Sequence, residues 1–330
     1  MIDKVIILGI RRAGELIPDF DIAQMVGRCG RSYVESGEAT LIVPSCDEHD
    51  AERYLFSKPK PIRSSFDRLD DVSFHFLPEL PSDQAIGEDL FCSWFSRSLA
   101  SMQGINIDWK DLIDYLEENE CIVKMKDQKI LLSDLGKIVC SHYIRPNHVF
   151  RMKSRLETIC SPGQLDPTSV GWILSFEKIY KNLTDDFSFQ EFISNTEGRR
   201  MYFEDQEEID AYSWFCLFSG KSPKTIRNEI VNRRKDISRM ISCLQEISLV
   251  LGLDIHGRLK ELEACGSRGI PFEFSKIAAA FPDAGRKIIL ELDSLSIHSL
   301  EDMIENSCEI NRYGSDSLKQ YARSKSISLE

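Results

Sequence analysis

Residues 21–43 read DIAQMVGRCGRSYVESGEATLIV, and this stretch decides the fold of the first part of the chain. Asp21 is a suitable N-cap for the short helical pattern that starts at Ile22. Residues 39–43 are apolar and partly β-branched, which is typical of a buried strand, and residues 5–8 have the same character. Strand, helix and strand in this order indicate a piece of a parallel sheet. A piece of this size leaves its sheet edges uncovered.

The helical pattern ends in the string Gln24-x-x-Gly27-Arg28-x-Gly30-Arg31, which places two arginines three residues apart. Arginine forks onto phosphate oxygens and stabilises the charge that develops during phosphoryl transfer. The pair therefore suits contact with a polyphosphate that another domain holds. A surface turn with two solvated arginines is the simpler alternative, but the glutamine and the glycines make the string more specific than an arginine pair.

This string resembles motif VI of superfamily 2 helicases, so we call it the motif VI string. In that family, motif VI faces the nucleotide across a cleft near the end of the second motor domain and supplies an arginine finger. The resemblance implies that Arg31 is the finger and that Arg28 contacts the terminal phosphate. It also implies that Gln24, Gly27 and Gly30 assist in binding the nucleotide.

Other segments carry the same resemblance. The phrases AERYLFSKPKPIRSSF (residues 51–66) and LLSDLGKIVCSHYIRPNHV (residues 131–149) resemble the superkiller-like DNA helicases, in particular the archaeal helicase 308 family. IHSLEDMIE (residues 297–305) resembles the last helix of the small helix-hairpin domain that ends those helicases. The chain is thus expected to be the C-terminal half of such a helicase.

The implied fold is mainly α with a small α/β remnant. Helical spacing followed by two strand patterns, residues 121–125 and 129–132, is the order of a winged helix. A long apolar stripe that ends at Gly252 predicts one extended helix over residues 225–251. The expected order is the C-terminal part of a second RecA-like motor domain (1–56), a proline-containing linker (57–84), a winged helix (85–150), a helical ratchet bundle (151–265), a helix-hairpin-like domain (266–312) and a flexible Ser/Lys-rich tail (313–330).

The N-terminal part of the extended helix is crowded with basic side chains. A solvated helix face is the simpler interpretation. In the helicase 308 family, however, a long helix at this place lines the DNA channel as a ratchet. The family's stacking aromatic would fall near Arg239 or Met240, and an arginine plane would replace part of its role. The resemblance implies nucleic-acid binding by Arg227, Arg233, Arg234, Lys235 and Arg239.

Two strings imitate ATPase motifs without meeting their requirements. Asp47-Glu48-His49-Asp50 looks like a magnesium box, but it does not directly follow a strand, and it comes after the motif VI string instead of before it. Gly220-Lys221-Ser222 lacks the first glycine of a phosphate loop, because position 215 is Phe. The chain alone is therefore expected not to hydrolyse ATP. ATP and Mg²⁺ are expected only together with a front half that carries the phosphate loop and the magnesium box.

The turn that would form the helix hairpin reads Phe281-Pro282-Asp283-Ala284-Gly285. Such hairpins normally use G-x-G to bring backbone amides near a phosphate. Asp283 would repel a phosphate, so a packing role is at least as good an interpretation as DNA contact.

Composition narrows the class of protein. Hydrophobic residues make up 42% of the chain and charged residues 28%, no apolar run reaches a membrane-spanning length, and no secretion signal opens the chain, so we expect an intracellular protein, cytoplasmic (nucleoid-associated) or nuclear. The ten cysteines are scattered singly, which predicts buried thiols and no metal site. A net charge of −12 opposes nonspecific coating of nucleic acid but permits a local basic patch.

The resemblance to the helicase 308 family implies the C-terminal portion of an ATP-dependent 3′–5′ DNA helicase that acts in DNA repair or fork processing. Its expected partners are single-stranded or forked DNA and an N-terminal motor half, in cis or in trans, with no membrane. Two alternatives stay open: a non-catalytic winged-helix module for nucleic-acid binding or assembly, and a relative of RNA helicases.

Overall fold

The computed structural model describes residues 4–12, 15–29, 37–56, 62–126, 129–159, 162–183, 185–204 and 206–328. They form two compact units, residues 1–64 (the first unit) and residues 65–330 (the second unit). The described residues are mainly helical with small sheets, which confirms the predicted class at this level. None of the described helices combines the length and the apolar character that crossing a membrane requires.

The first unit holds a parallel strand pair with a helix between the strands in sequence. Its elements are β1 (Lys4–Leu8), β2 (Arg11–Arg12), β3 (Glu15–Leu16), α1 (Asp19–Val26), β4 (Glu38–Ile42) and α2 (Glu48–Phe56). β1 and β4 pair in parallel, from Lys4 opposite Glu38 to Leu8 opposite Ile42, as the sequence predicts. The short β2 and β3 form an antiparallel hairpin. Helix α1 begins three residues earlier than predicted, because Pro18 and not Asp21 is its N-cap, and Asp19 and Asp21 both lie in its first turn.

The two faces of the β1–β4 sheet differ. Ile7 points to a face that is covered and is itself buried, as is Ile22 of α1. On the opposite face Ile6 and Leu8 are 64% and 78% exposed, and Ile42 is also exposed. Strands of parallel sheets are normally covered on both faces. Within the described residues of the first unit, one apolar face of this sheet has no cover.

The second unit begins with helices around a small hairpin. Its front elements are α3 (Leu69–Phe76), α4 (Glu88–Phe95), α5 (Leu99–Met102), α6 (Trp109–Glu118), β5 (Ile122–Lys124), β6 (Ile130–Leu132), α7 (Asp134–His142) and α8 (Pro146–Glu157). β5 and β6 are antiparallel, and Ile86 adds a bridge to Ile130. Helix α3 lies inside the stretch predicted to be a linker. This prediction needs correction, because Val72 and Phe76 of α3 are fully buried in the core and the prolines only flank the helix.

The same core continues through the next helices: α9 (Pro167–Ile173), α10 (Phe187–Gly198), α11 (Glu208–Phe218), α12 (Arg227–Val250) and α13 (His256–Arg268). Helix α12 is the extended helix that the apolar stripe predicts, and Ile230, Ile237, Ile241 and Leu244 of that stripe are buried. It packs against α7, α11 and α13.

A second core gathers the C-terminal helices, which are α14 (Ser275–Ala280), α15 (Arg286–Ser294), α16 (Leu300–Glu305), α17 (Ser307–Tyr313) and α18 (Asp316–Ser324). Ser299 caps α16 in a capping box, as expected. The structure differs from the expectation of a frayed tail. Residues 316–324 are helical, and Leu318 and Ala322 are fully buried, because a helical spacing of apolar residues underlies the Ser- and Lys-rich composition.

Candidate nucleotide and nucleic-acid sites

The motif VI string lies at the C-terminal end of α1. Gln24 and Arg28 are exposed there, and Gly27 is the C-cap. Gly30 and Arg31 lie outside the described residues, so the structure places only three of the five predicted residues.

Arg28 borders a groove of about 340 Å³ beside β1, which is lined mainly by the backbone and apolar side chains of residues 5–9 together with Ile17 and Met25. Among the described residues, no carboxylate pairs with the Arg28 guanidinium. An exposed cation at an apolar groove fits the nearby binding of a phosphate group. The residues that are present are therefore compatible with a nucleotide whose triphosphate reaches this end of the sheet.

The string at residues 47–50 is occupied by protein contacts. Arg11 Nε donates to Asp47 Oδ1 at 2.9 Å, and Arg11 Nη2 donates to Asp50 Oδ2 at 3.0 Å. Asp47 lies in a short 3₁₀ turn and is buried, and α2 follows it. Asp47 and Asp50 thus share Arg11 as their partner.

The five predicted basic residues of α12 fall into two groups. Arg227, Arg234 and Lys235 are exposed, and none of them pairs with a carboxylate among the described residues. Arg239 is also exposed, but its guanidinium donates to the Tyr143 carbonyl at 3.0 Å and to Asp236 at 2.9 Å. These four side chains lie on the solvent side of α12.

Arg233 has a different environment. Its guanidinium pairs with Glu177 at 2.5 Å and with Asp210 at 2.8 Å, and it lies 5.5 Å from the ring centroid of Trp214. Asp210 also accepts the backbone N–H groups of Phe176 and Glu177, at 2.9 and 2.8 Å. The buried position differs from the predicted DNA contact and gives Arg233 a structural role.

Burial governs the ionisation of this cluster. It raises the pKa of Asp210 to about 6, although Arg233 acts in the opposite direction. Burial also lowers the pKa of His148 to about 4, and the His148 ring stacks on Phe176 at 4.5 Å. In the sequence, Arg233 falls within the apolar stripe of α12. An arginine on the buried side of a helix requires a carboxylate partner, so this position could have indicated a buried acid nearby. It could not identify Glu177 and Asp210 as the partners.

Two further charged groups of the second unit, in the β5–β6 hairpin and in the turn before α15, are paired within the protein. Lys124 of the β5–β6 hairpin pairs with Asp114 at 2.8 Å and with Glu117 at 2.6 Å. In the turn before α15, Asp283 accepts from Tyr321 Oη at 2.8 Å and from Lys325 Nζ at 2.6 Å. The hydrogen bond from Lys325 holds the pKa of Asp283 below its usual range.

The carbonyls of the same turn are also used. Arg268 donates to the Phe281 carbonyl at 2.7 Å, to the Ala284 carbonyl at 2.8 Å and to the Ala278 carbonyl. These contacts join α13 and α18 to the hairpin and favour the packing role of the turn.

Comparison with known proteins places the chain beside DNA helicases. It is 29% identical over 180 residues to ATP-dependent DNA helicase Hel308 of Caldivirga maquilingensis, an alignment that covers 50% of this chain and 23% of that protein. It is 22% identical over 286 residues to Hel308 of Methanocella arvoryzae (74% and 37% covered) and 28% identical over 165 residues to Hel308 of Pyrococcus horikoshii (48% and 22% covered). No protein-family model matches.

These relatives confirm the resemblance to the archaeal helicase 308 family. The alignments span between 22% and 37% of the length of these relatives.

Proposed function

We propose that this chain is the C-terminal portion of an ATP-dependent 3′–5′ DNA helicase that acts in DNA repair or fork processing. The observation that carries the proposal is the β1–α1–β4 arrangement, in which the motif VI string ends a helix beside a parallel strand pair with one uncovered apolar face. An apolar sheet face of this kind fits cover by further polypeptide of a motor domain, and the similarity to Hel308 proteins agrees with this role.

The nucleotide roles follow the resemblance. Arg31 is the arginine finger, Arg28 contacts the terminal phosphate, and Gln24, Gly27 and Gly30 assist in binding the nucleotide. Bound ATP with Mg²⁺ supplies the transferable phosphoryl group, and an N-terminal motor half, in the same polypeptide or in a separate one, holds it. The exposed guanidinium of Arg28 supports this assignment, because it is free of carboxylate partners among the described residues.

The DNA roles are assigned to α12. Arg227, Arg234, Lys235 and Arg239 form its exposed basic side, and we propose that this side lines the single-strand channel of a ratchet bundle. We assign residues 85–150 to the winged helix that braces the motor, residues 151–265 to the ratchet bundle and residues 266–312 to the helix-hairpin domain. Arg233 holds α12 to α11 from within the bundle and is not part of the proposed DNA surface.

Binding of oligothymidylate to the chain tests this assignment. The net charge of −12 opposes binding, so affinity must come from the α12 patch and must fall steeply with salt. Four engaged side chains predict a slope of log K on log salt of about −3, since a single strand contributes about −0.7 for each neutralised phosphate. The double variant Arg234→Ala with Lys235→Ala should flatten the slope by about 1 to 1.5.

The exposed Arg323 of α18 provides a matched control, since Arg323→Ala removes a guanidinium outside the proposed channel. Equal losses from Lys124→Ala and Lys126→Ala would move the binding site to the hairpin and favour the non-catalytic winged-helix module. Tighter binding to oligouridylate than to oligothymidylate would favour the RNA helicase alternative.

A further inference from the structure

Tyr143 has an unusual backbone conformation at the end of α7. It is the C-cap of that helix and is left-handed, with φ 51° and ψ 54°. Bulky side chains rarely adopt this conformation, and helices that end this way usually place Gly or Asn there. Tyr143 is nevertheless 54% exposed, so burial in the core does not explain why a tyrosine occupies this left-handed position.

A set of contacts fixes the ring at the surface. Its centroid lies 4.3 Å from that of Phe74 and 6.4 Å from that of His75. The Arg145 guanidinium lies 5.7 Å from the Phe74 centroid and is itself held by Asp70 and by Asp71, the latter at 2.6 Å. Rotation of the ring is therefore restricted by packed partners, and its remaining surface faces solvent.

The Tyr143 backbone is joined directly to α12. Arg239 Nη1 donates to the Tyr143 carbonyl at 3.0 Å and approaches the His142 carbonyl at 3.4 Å, so a side chain of α12 caps the end of α7. Lys235 precedes Arg239 by one helical turn and lies on the same exposed side of α12. The exposed ring thus adjoins the basic side of the helix.

Helix α12 has no aromatic residue anywhere in its 24 residues. A channel for single-stranded DNA normally combines phosphate contacts with aromatic rings on which bases stack. Three of the carboxylates near the ring are paired with arginine. Asp70 and Asp71 are held by Arg145, and Asp236 is held by Arg239, while Glu246 lies 3.0 Å from His142 Nε2.

We propose that Tyr143 is a base-stacking residue for single-stranded DNA and supplies the aromatic platform that α12 lacks. This inference rests on the proposed single-strand channel along α12. A strand whose phosphates contact Lys235 and Arg239 presents a base to the open face of the Tyr143 ring, while Phe74 supports the ring from the protein side. The left-handed backbone directs the ring to this place, and the helix ends there.

The test compares two strands of equal length and phosphate number, oligothymidylate and an abasic strand, by fluorescence anisotropy with the whole chain. Tyr143→Phe keeps the ring and should bind as the parent does. Tyr143→Asn suits the left-handed conformation and removes the ring, so it should weaken oligothymidylate binding about 5- to 150-fold, the usual range for one stacked base. Its affinity for the abasic strand and its salt slope should not change, because stacking neutralises no phosphate.

Tyr313→Asn is the matched control, since Tyr313 is an exposed tyrosine of α17 in the second core region, and it should leave both affinities unchanged. Equal losses on both strands would assign Tyr143 a purely structural role and overturn stacking, as would no loss on either strand. If the parent chain binds oligothymidylate in a salt-dependent way and Tyr143→Asn does not change the affinity, this inference alone is overturned. Failure of the parent chain to bind oligothymidylate overturns it together with the proposed channel.

Discussion

The β1–β4 sheet of the first unit and the helical core of the second unit treat apolar surface in opposite ways. In the sheet, Ile6 and Leu8 are exposed on one face. In the helical unit, Trp214, Tyr212 and Phe218 are almost completely buried. They belong to one hydrophobic core whose residues come from chain positions between Val72 and Leu262. Since folding is driven mainly by burial of apolar surface, the helical unit supplies its own cover, while the sheet fits cover from additional polypeptide.

Arginine side chains show a similar contrast between the two units. In the second unit, the buried Arg155 and Arg233 are paired with carboxylates. Arg155 donates to Glu207 and to the Ser175 carbonyl, each at 3.0 Å, and Arg233 pairs with Glu177 and Asp210. In the first unit, Arg28 is exposed and has no carboxylate partner among the described residues. Paired guanidinium groups stabilise the fold, whereas an unpaired one next to a groove is available for a ligand.

The largest expected effect sharpens this contrast. Asp210→Ala leaves Arg233 without one of its two carboxylates in a buried site, which should cost about 3–5 kcal/mol of unfolding free energy. Lys235→Ala on the same helix removes a solvated charge and should stay within about 0.5 kcal/mol. Urea unfolding followed by tryptophan fluorescence measures both, because all four tryptophans lie in the second unit. Equal costs for the two variants would contradict the division into structural and available cations.

Acid should weaken the second unit through His148. Its pKa is lowered to about 4 by burial, whereas an unfolded histidine titrates near 6.5, so its contribution to stability is complete above about pH 6.5 and is lost as the pH falls towards 4. The shift corresponds to a loss on the order of 3 kcal/mol. Asp210 acts in the opposite direction, because its raised pKa favours the folded state as the pH falls below about 6.

His148→Phe keeps a ring against Phe176 and removes the titrating group. Urea unfolding of this variant and of the parent between pH 7 and pH 4 separates the two contributions. The stability of the variant relative to the parent should increase steadily as the pH falls. A constant difference over this range would show that His148 titrates normally in the folded chain.

A smaller effect is expected at the end of α13. Gly269 has φ +65°, and a Cβ added there would lie 3.0 Å from Arg234 Nη2. Gly269→Ala should therefore cost about 1–2 kcal/mol, from the backbone conformation and from displacement of Arg234. Gly252→Ala is matched in φ, at +67°, but meets nothing within 4 Å, so it should cost about 1 kcal/mol. Equal costs for the two variants in urea unfolding would mean that Arg234 moves away freely.

The smallest effect on stability concerns the uncovered sheet face. Ile6→Thr with Leu8→Thr places β-branched threonines at both positions of β1 and removes apolar surface, so it should suppress self-association at little cost to the fold. Ile7→Thr alters the covered face instead and should disturb the strand pair. Sedimentation velocity distinguishes the variants. A parent chain that stays monomeric at all concentrations would show that this face is not adhesive.

Local patterns made much of this molecule predictable. The β1–β4 pairing and helix α12 follow from short-range periodicity, since a strand or a helix with one buried side leaves its period in the sequence. Helix α3 escaped prediction because the flanking prolines resemble a linker. The partners of Arg233 escaped because Glu177 is 56 residues away, and no local pattern reports such a contact. The left-handed conformation of Tyr143 also has no counterpart in the hydrophobic periodicity of the sequence, so it could not be predicted.

DNA-stimulated ATP hydrolysis by a reconstituted mixture tests the central claim most directly. The chain is measured alone, then together with a front-half polypeptide of a Hel308 protein that carries the phosphate loop and the magnesium box. The chain alone should be inactive and the mixture active, and Arg31→Ala should reduce turnover by about 10³- to 10⁵-fold, the range known for arginine fingers. Arg323→Ala should leave turnover unchanged. Hydrolysis by the pure chain, or a mixture that is indifferent to Arg31→Ala, would contradict the account.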